Sequence, residues 1–229
     1  MPKKNKDTQS TESVENFLKA VYSLEQRMAS DDDRVSTNAL SETLSISAPS
    51  VTDMAQRLVD EGLVDYQRYR GIRLTEQGAG IALKMLRRHR LIELFLVKEL
   101  GYELHEVHAE AENLEHAVSD QFIQALAAKL GDPSFDPHGD PIPNAEGVMA
   151  APTLLPLSEL PIHQQAHVSR FAASDNDLLQ YTLSKGFKLR SEVEVIARDP
   201  FEGPLTVIID GSTMVIGHTM AQNILVEPL

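Results

Sequence analysis

Six imidazole and carboxylate side chains, His89, Glu93, His108, Glu112, Glu115 and His116, recur at helical spacing within stretches that are otherwise strongly apolar. A helix turns about once every 3.6 residues, so His89 shares a face with Glu93, His108 with Glu112, and Glu112 with Glu115 and His116. Leu91, Ile92, Leu94, Phe95, Leu96, Leu114 and Val118 lie among them, which sets some of these groups beside a buried seam. A buried charge needs a partner or a metal. On a solvated helix each pair would add only about 0.2–0.5 kcal/mol, and six such groups on one helix pair favour the metal reading over that one. With no cysteine in 229 residues the donors are oxygen and imidazole nitrogen. That set suits Mn(II), Fe(II) or Zn(II) rather than copper(I) or an iron–sulfur cluster.

Length and a 42% apolar composition allow one large or two to three small domains with real cores. No apolar run reaches the roughly 18 residues of a membrane span, and MPKKNKDTQSTES has no apolar stretch behind its lysines. A cytoplasmic protein is expected, with no membrane partner. The net charge of −13 excludes a uniformly basic nucleic-acid coat, yet Arg68, Arg70, Arg73, Lys84, Arg87, Arg88 and Arg90 face only Glu76 between Tyr66 and Arg90. One basic stripe on an acidic protein confines phosphate contacts to one face.

Val14, Phe17, Leu18, Val21, Tyr22 and Leu24 mark an amphipathic helix from about Ser13 to Gln26, followed by an acidic loop over Ala29 to Val35. Ser36-Thr37 caps a short helix through Leu40 and Leu44, and a turn at Ser45 to Ser47 leads into a second helix opened by Pro49 and ended by Gly62. The pair reads as helix-turn-helix. Its second helix presents Ser47, Ser50, Thr52, Asp53, Gln56 and Arg57 outward, among them the small polar residues that base-edge readers carry, and turns Val51, Met54, Leu58 and Val59 inward. Leu63 to Tyr66 and Gly71 to Thr75 then form two strands joined by the arginine-rich tip Gln67 to Arg70, a wing. The phrase DEGLVDYQRYRGIRLTEQG resembles the wing of many winged-helix repressors.

Glu76 to Leu100 and Leu104 to Leu130 read as two long helices broken at Gly101. Their apolar faces, including Phe95, Leu96, Phe122 and Leu126, are expected to form a dimer, because one winged helix reads too little sequence to find one operator. Pro133, Pro137, Pro141, Pro143, Pro152 and Pro156 mark an irregular connector. Pro156 to Lys185 is helical or mixed, and the strands around Val193–Val195, Leu205–Ile209, Met214–Ile216 and Ile224–Val226 suggest a small β-barrel. The expected class is α+β, mainly α: a winged helix-turn-helix DNA-binding domain over 1–75, a helical dimerisation and metal-binding domain over 76–145, and a linker with an SH3-like barrel over 146–229. His105, His138, His163, His167 and His218 have no matched partners in the sequence and read as ordinary histidines.

RRHRLIELFLVKELGY, VHAEAENLEHAVSD and DPHGDPIP, with the winged helix before them, resemble the diphtheria toxin repressor family over nearly the whole chain, in particular its manganese-responsive branch with a C-terminal SH3-like (FeoA-like) domain. The resemblance implies a homodimeric, metal-dependent regulator of metal-homeostasis genes that binds a double-stranded DNA operator, commonly to repress uptake, and is not an enzyme. It implies a primary site of Glu112, Glu115, His116 and Asn16. It also implies an ancillary site of His89, Glu93 and His108, completed by Asp175 or Asp177, with Arg90 nearby. Ser47, Pro49, Ser50, Thr52, Gln56, Arg57, Arg68, Arg70 and Arg73 would meet DNA. Iron-responsive members tend to carry cysteine where this chain has Glu112 and methionine near Asn16, so Mn(II) is the expected effector, Fe(II) the alternative, and Zn(II) an in vitro ligand. Manganese members usually carry aspartate at Asn16, so the expectation here is either weaker ligation through the asparagine oxygen or Glu15 in its place, and some carry an acid at Lys19. No organic cofactor is expected.

Two rival classes differ in what the acids and imidazoles would do. A metalloenzyme would need His-Glu-x-x-His or paired Glu-x-x-His motifs, and His105-Glu106-Val107-His108 misses the first by one residue. A winged-helix regulator of an organic ligand or protein would keep only a structural metal, which metal-titrated DNA binding separates from a metal sensor.

Overall fold

The computed structural model describes residues 6–26, 28, 33–150, 152–172 and 175–229, with side chains from 12 onward. Residues 29–32 of the acidic loop and the N-terminal residues 1–5 lie outside the described residues. The chain divides into two compact units: 1–89 with 115–118 and 143–148, and 90–114 with 119–142 and 149–229.

In the first unit α1 (Lys6–Glu25), α2 (Thr37–Leu44) and α3 (Ala48–Asp60) precede the hairpin β1 (Val64–Gln67) and β2 (Gly71–Leu74). Serines set both junctions of the helix pair. Ser36 Oγ accepts from the Ala39 amide and Ser47 Oγ from the Ser50 amide, each satisfying one of the orphan donors of a helix start. Ser45 closes α2 in the left-handed region at φ 53°. Phe17, Leu18, Val21, Leu40, Val51, Ala55, Leu58 and Ile72 form the core. Val59, expected inward, is exposed, and Ala55 takes the buried place because the packed stripe follows Val51, Ala55 and Leu58.

The hairpin is held from its side. Val35 exchanges two backbone hydrogen bonds of 2.9 Å with Ile72, and the Arg34 guanidinium pairs with Asp65. Gly71 sits against that bridge at φ 114°, where an added Cβ would lie 2.5 Å from the Val35 carbonyl oxygen. Gly71→Ala is therefore expected to lower stability by about 1–3 kcal/mol or more, read as a fall in the thermal midpoint, whereas Gly80→Ala, with open space around it, leaves the midpoint level or higher.

α4 (Glu76–Leu100) has the expected bounds and gives residues to both units. The second long helix does not run unbroken. α5 (Val107–Leu114) stops, Glu115 to Ala117 form a turn, and Ser119 caps α6 (Asp120–Leu130) by accepting from the Phe122 amide. A serine that satisfies a fresh helix start competes with continuation of the old helix.

The rest of the second unit is an antiparallel six-stranded sheet of order β3-β8-β4-β5-β6-β7: β3 (Leu155–Pro156), β4 (Gln165–Phe171), β5 (Glu192–Arg198), β6 (Leu205–Ile209), β7 (Ser212–Ile216) and β8 (Ile224–Pro228). α7 (Asn176–Ser184) and the short α8 (His218–Gln222) join its strands. Alternate residues such as Val193, Val195, Leu205, Val207, Ile224 and Val226 fill one core. The segment expected as helical or mixed thus contains β4 as well as α7.

Candidate metal centre and nucleic-acid interface

The turn after α5 and the N-terminal helix bring one group of donors together within the first unit. Glu115 is fully buried, and its carboxylate takes Nδ1 of His89 at 2.6 Å on one oxygen and the Lys19 ammonium on the other. Burial pushes the Glu115 carboxyl up, but the hydrogen bond to His89 and the charge of Lys19 outweigh it and hold the group below its ordinary range. His116 lies 2.8 Å from Glu15 through Nδ1 and 2.9 Å from the Asn16 side-chain oxygen through Nε2. Glu115, His116 and Asn16 of the expected primary set therefore meet, with Glu15 beside them, and Glu112 on α5 lies 3.8 Å from His108. His89, expected in the ancillary set, bonds Glu115.

A second group forms within the second unit and includes residues that were not expected. Glu93 and Asp136 are buried, and with His138 they offer three donor atoms within 4.8 Å of one another. His138 Nε2 is 3.1 Å from the Leu104 carbonyl oxygen, so that nitrogen carries the proton, and Nδ1 turns its lone pair toward Glu93, 3.9 Å away. Asp136 accepts the His138 and Asp140 amides on Oδ1, leaving Oδ2 with Arg90 at 3.8 Å. Burial, then repulsion from Asp140 and Glu93, pushes the Asp136 carboxyl well up against the pull of Arg90. Burial also pushes the His138 imidazole down, against the pull of Glu93 and Asp140. Two carboxylates and an imidazole nitrogen converging in this way suit a hard divalent cation, whose charge would offset the repulsion between the acids, and an imidazole fixed by a backbone carbonyl is the usual orienting arrangement for a ligand. His108 lies 3.3 Å from Glu93. Asp175 and Asp177 are exposed near the start of α7, where Asp175 accepts the Asp177 and Leu178 amides as its N-cap. Among the described residues neither belongs to a group able to hold an ion.

Asp136 and His138 fall in the proline-rich connector, where no helical or strand period draws attention to them. The available signal was Asp-x-His-x-Asp over Asp136, His138 and Asp140, interleaved with Pro137 and Gly139.

The basic stripe divides by use. Arg87 donates to the Pro143 carbonyl, Arg90 to the Pro141 carbonyl, and Arg90 also pairs with Asp140. These two serve the fold. On α3, Pro49, Ser50, Gln56 and Arg57 are exposed, Thr52 is half-buried and bonds the Ala48 carbonyl, and Ser47 is committed to the cap. On the hairpin Arg68 and Arg70 are exposed and Arg73 half-buried.

A capped helix pair with a cationic wing, followed by clusters of oxygen and imidazole donors that suit a divalent cation, defines the class of a DNA-binding protein. The chain matches the family models described as iron dependent repressor, N-terminal DNA binding domain (9–72), iron dependent repressor, metal binding and dimerisation domain (75–144), and FeoA domain (155–228). It is similar to a manganese-dependent transcriptional repressor solved in complex with manganese, at 41% identity and a TM-score of 0.86, over 94% of this chain and 100% of that one. The manganese regulator SloR follows at 33% identity and a TM-score of 0.74, over 94% and 98%. The iron-dependent repressor IdeR of Mycobacterium tuberculosis is 29% identical over 94% of this chain and 97% of its own length. The chain belongs to the diphtheria toxin repressor family of metal-dependent transcriptional regulators, a family of repressors rather than enzymes. Among the described residues no helix is long and apolar enough to cross a membrane.

Proposed function

We propose that this chain is a Mn(II)-responsive repressor that binds a palindromic DNA operator as a homodimer in the cytoplasm and controls metal-homeostasis genes, repressing uptake. The observation that carries the reading is Glu115, fully buried beside His116 on a turn whose partners Asn16 and Glu15 lie on α1 of the winged-helix core. Fe(II) is the alternative effector, and the absence of thiol donors favours Mn(II) over it.

The primary site comprises Glu112, Glu115, His116 and Asn16, with Glu15 supplying the charge that asparagine lacks. The ancillary site draws on His89, Glu93, His108 and either Asp175 or Asp177, and Asp136 and His138 add the donors described above. These residues would hold a divalent ion, which would supply the positive charge that the carboxylates call for. Glu115 and His116 then hold α1, and with it the reading helix, in one position. α3 meets bases and backbone through Ser47, Pro49, Ser50, Thr52, Gln56 and Arg57, while Arg68, Arg70 and Arg73 take phosphates. A two-fold dimer matches half-sites about 34–36 Å apart. The domains fall at 1–75, 76–145 and 146–229.

Binding of chelator-stripped protein to DNA upstream of its own gene and of neighbouring transporter genes tests this, titrated separately with Mn(II), anaerobic Fe(II) and Zn(II). Tightening at micromolar Mn(II) but not at matched Zn(II) is expected. Equal binding without metal and with all three would return both donor groups to a structural role.

A further inference from the structure

The tip of the β1–β2 hairpin carries an aromatic side chain that neither the fold nor the metal groups use. Tyr69 is 90% exposed, at the centre of the three-residue connection between Gln67 and Gly71, and its backbone lies in the left-handed region at φ 67°. Glycine or asparagine takes that conformation at little cost, whereas a bulky residue there is strained. The connection is nevertheless closed, with the Arg70 amide donating to the Gln67 carbonyl at 3.0 Å. The Arg68 guanidinium lies 4.9 Å from the Tyr69 ring centroid and braces the ring in water by a cation–π contact. Below the tip, the Val35 bridge and the Arg34–Asp65 pair fix the strands, so the ring is presented on a preformed support.

The surroundings of Tyr69 select its partner. From Tyr66 to Leu74 there are three arginines and no acid, on a chain of net charge −13. An aromatic residue between two arginines in the chain, with one guanidinium against its ring, complements a surface in which apolar sugar faces lie between two rows of phosphates. The minor groove of B-DNA is about 6 Å wide and lined by sugars, so it admits one flat side chain with arginines on either wall.

We propose that Tyr69 is a DNA-contacting residue of the wing, packing its ring on deoxyribose in the minor groove flanking the α3 contact while Arg68 and Arg70 take the bordering phosphates. The proposal rests on the DNA-binding reading above. Tyr69 carries no charge, so its contribution differs in kind from that of its neighbours. Losing an arginine–phosphate contact flattens the dependence of log K on log salt by about one unit, and losing a ring contact lowers affinity at every salt concentration.

The experiment uses the full chain with Mn(II) and a duplex selected by the wild-type protein from random sequence. Tyr69→Ala should bind about tenfold or more weakly with an unchanged salt slope, and should expose flanking sugars to hydroxyl-radical cleavage that the wild type protects. Tyr69→Phe, which keeps the ring, should retain the footprint, and Arg70→Ala should flatten the slope. The side chain is exposed, so the thermal midpoint of Tyr69→Ala should match the wild type. Wild-type affinity and footprint in Tyr69→Ala overturn the proposal and leave the regulator reading intact. A wild-type protein that selects no duplex with any metal overturns both.

Discussion

Glu115→Gln is expected to separate DNA binding from metal. The Mn(II) concentration for half-maximal operator binding should rise by about a hundredfold, or the response should vanish. Glutamine keeps an oxygen for the His89 contact and fills the same volume, so the variant should still fold. It loses the charge, leaving the Lys19 ammonium against an amide. The hydrogen bonds weakened there correspond to about 1.5–3 kcal/mol of stability, without metal as well as with it. Because the folded protein holds the Glu115 carboxyl below its ordinary range, its stabilising effect is complete above the usual carboxylate pKa and fades as pH falls through the depressed folded value. The wild type and Glu115→Gln should therefore converge in thermal midpoint at low pH and diverge toward neutrality. An unchanged Mn(II) midpoint in operator binding would show that Glu115 is no part of the sensor.

Asp136→Asn should have the opposite signature, with higher stability in the metal-free protein and weaker metal binding. Burial and two neighbouring acids raise the Asp136 carboxyl, so its ionised form opposes folding once pH exceeds the unfolded pKa, and this opposition grows until the raised folded value is reached. Asparagine removes that charge and keeps the oxygen that accepts the His138 and Asp140 amides. Chelated variant protein should melt above chelated wild type at neutral pH. Its second Mn(II) equivalent, followed by the electron paramagnetic resonance of free Mn(II), should bind roughly 10- to 100-fold more weakly. A variant that binds this equivalent as the wild type does would show that Asp136 is no ligand. One that melts lower without metal would show that Asp136 serves the fold through its charge on Arg90.

The winged helix and α4 were legible because each signal in them is local and repeated. Serine caps, a stripe at Val51 and Leu58, and glycine at the hairpin all point to one arrangement. Glu115 and His116 were legible as donors but not in their conformation, since helical spacing cannot distinguish a continuous helix from one that stops and restarts at Ser119. β4 escaped because the bulge between Val168 and Arg170 interrupts its alternation, so Ala166 and Val168 point inward two apart but Phe171 follows at three. Asp136 and His138 were hidden for a different reason. Their convergence with Glu93 is tertiary, and a connector without a period carries no sign of which side chains turn inward.

Strand β4 meets the turn that carries Asp136 and His138 at consecutive residues. The Phe171 amide donates to the His138 carbonyl at 2.9 Å, Arg170 pairs with Asp140 at 2.7 Å, and Gly139 packs so closely on Ser169 that a Cβ would fall 2.0 Å from its carbonyl oxygen. These two stretches form a lock with no slack, in which neither can be redesigned alone. Exchanging the barrel for another would remove the jig that sets the His138 ring, so grafting the turn of residues 136–140 into a different scaffold requires carrying residues 169–171 with it.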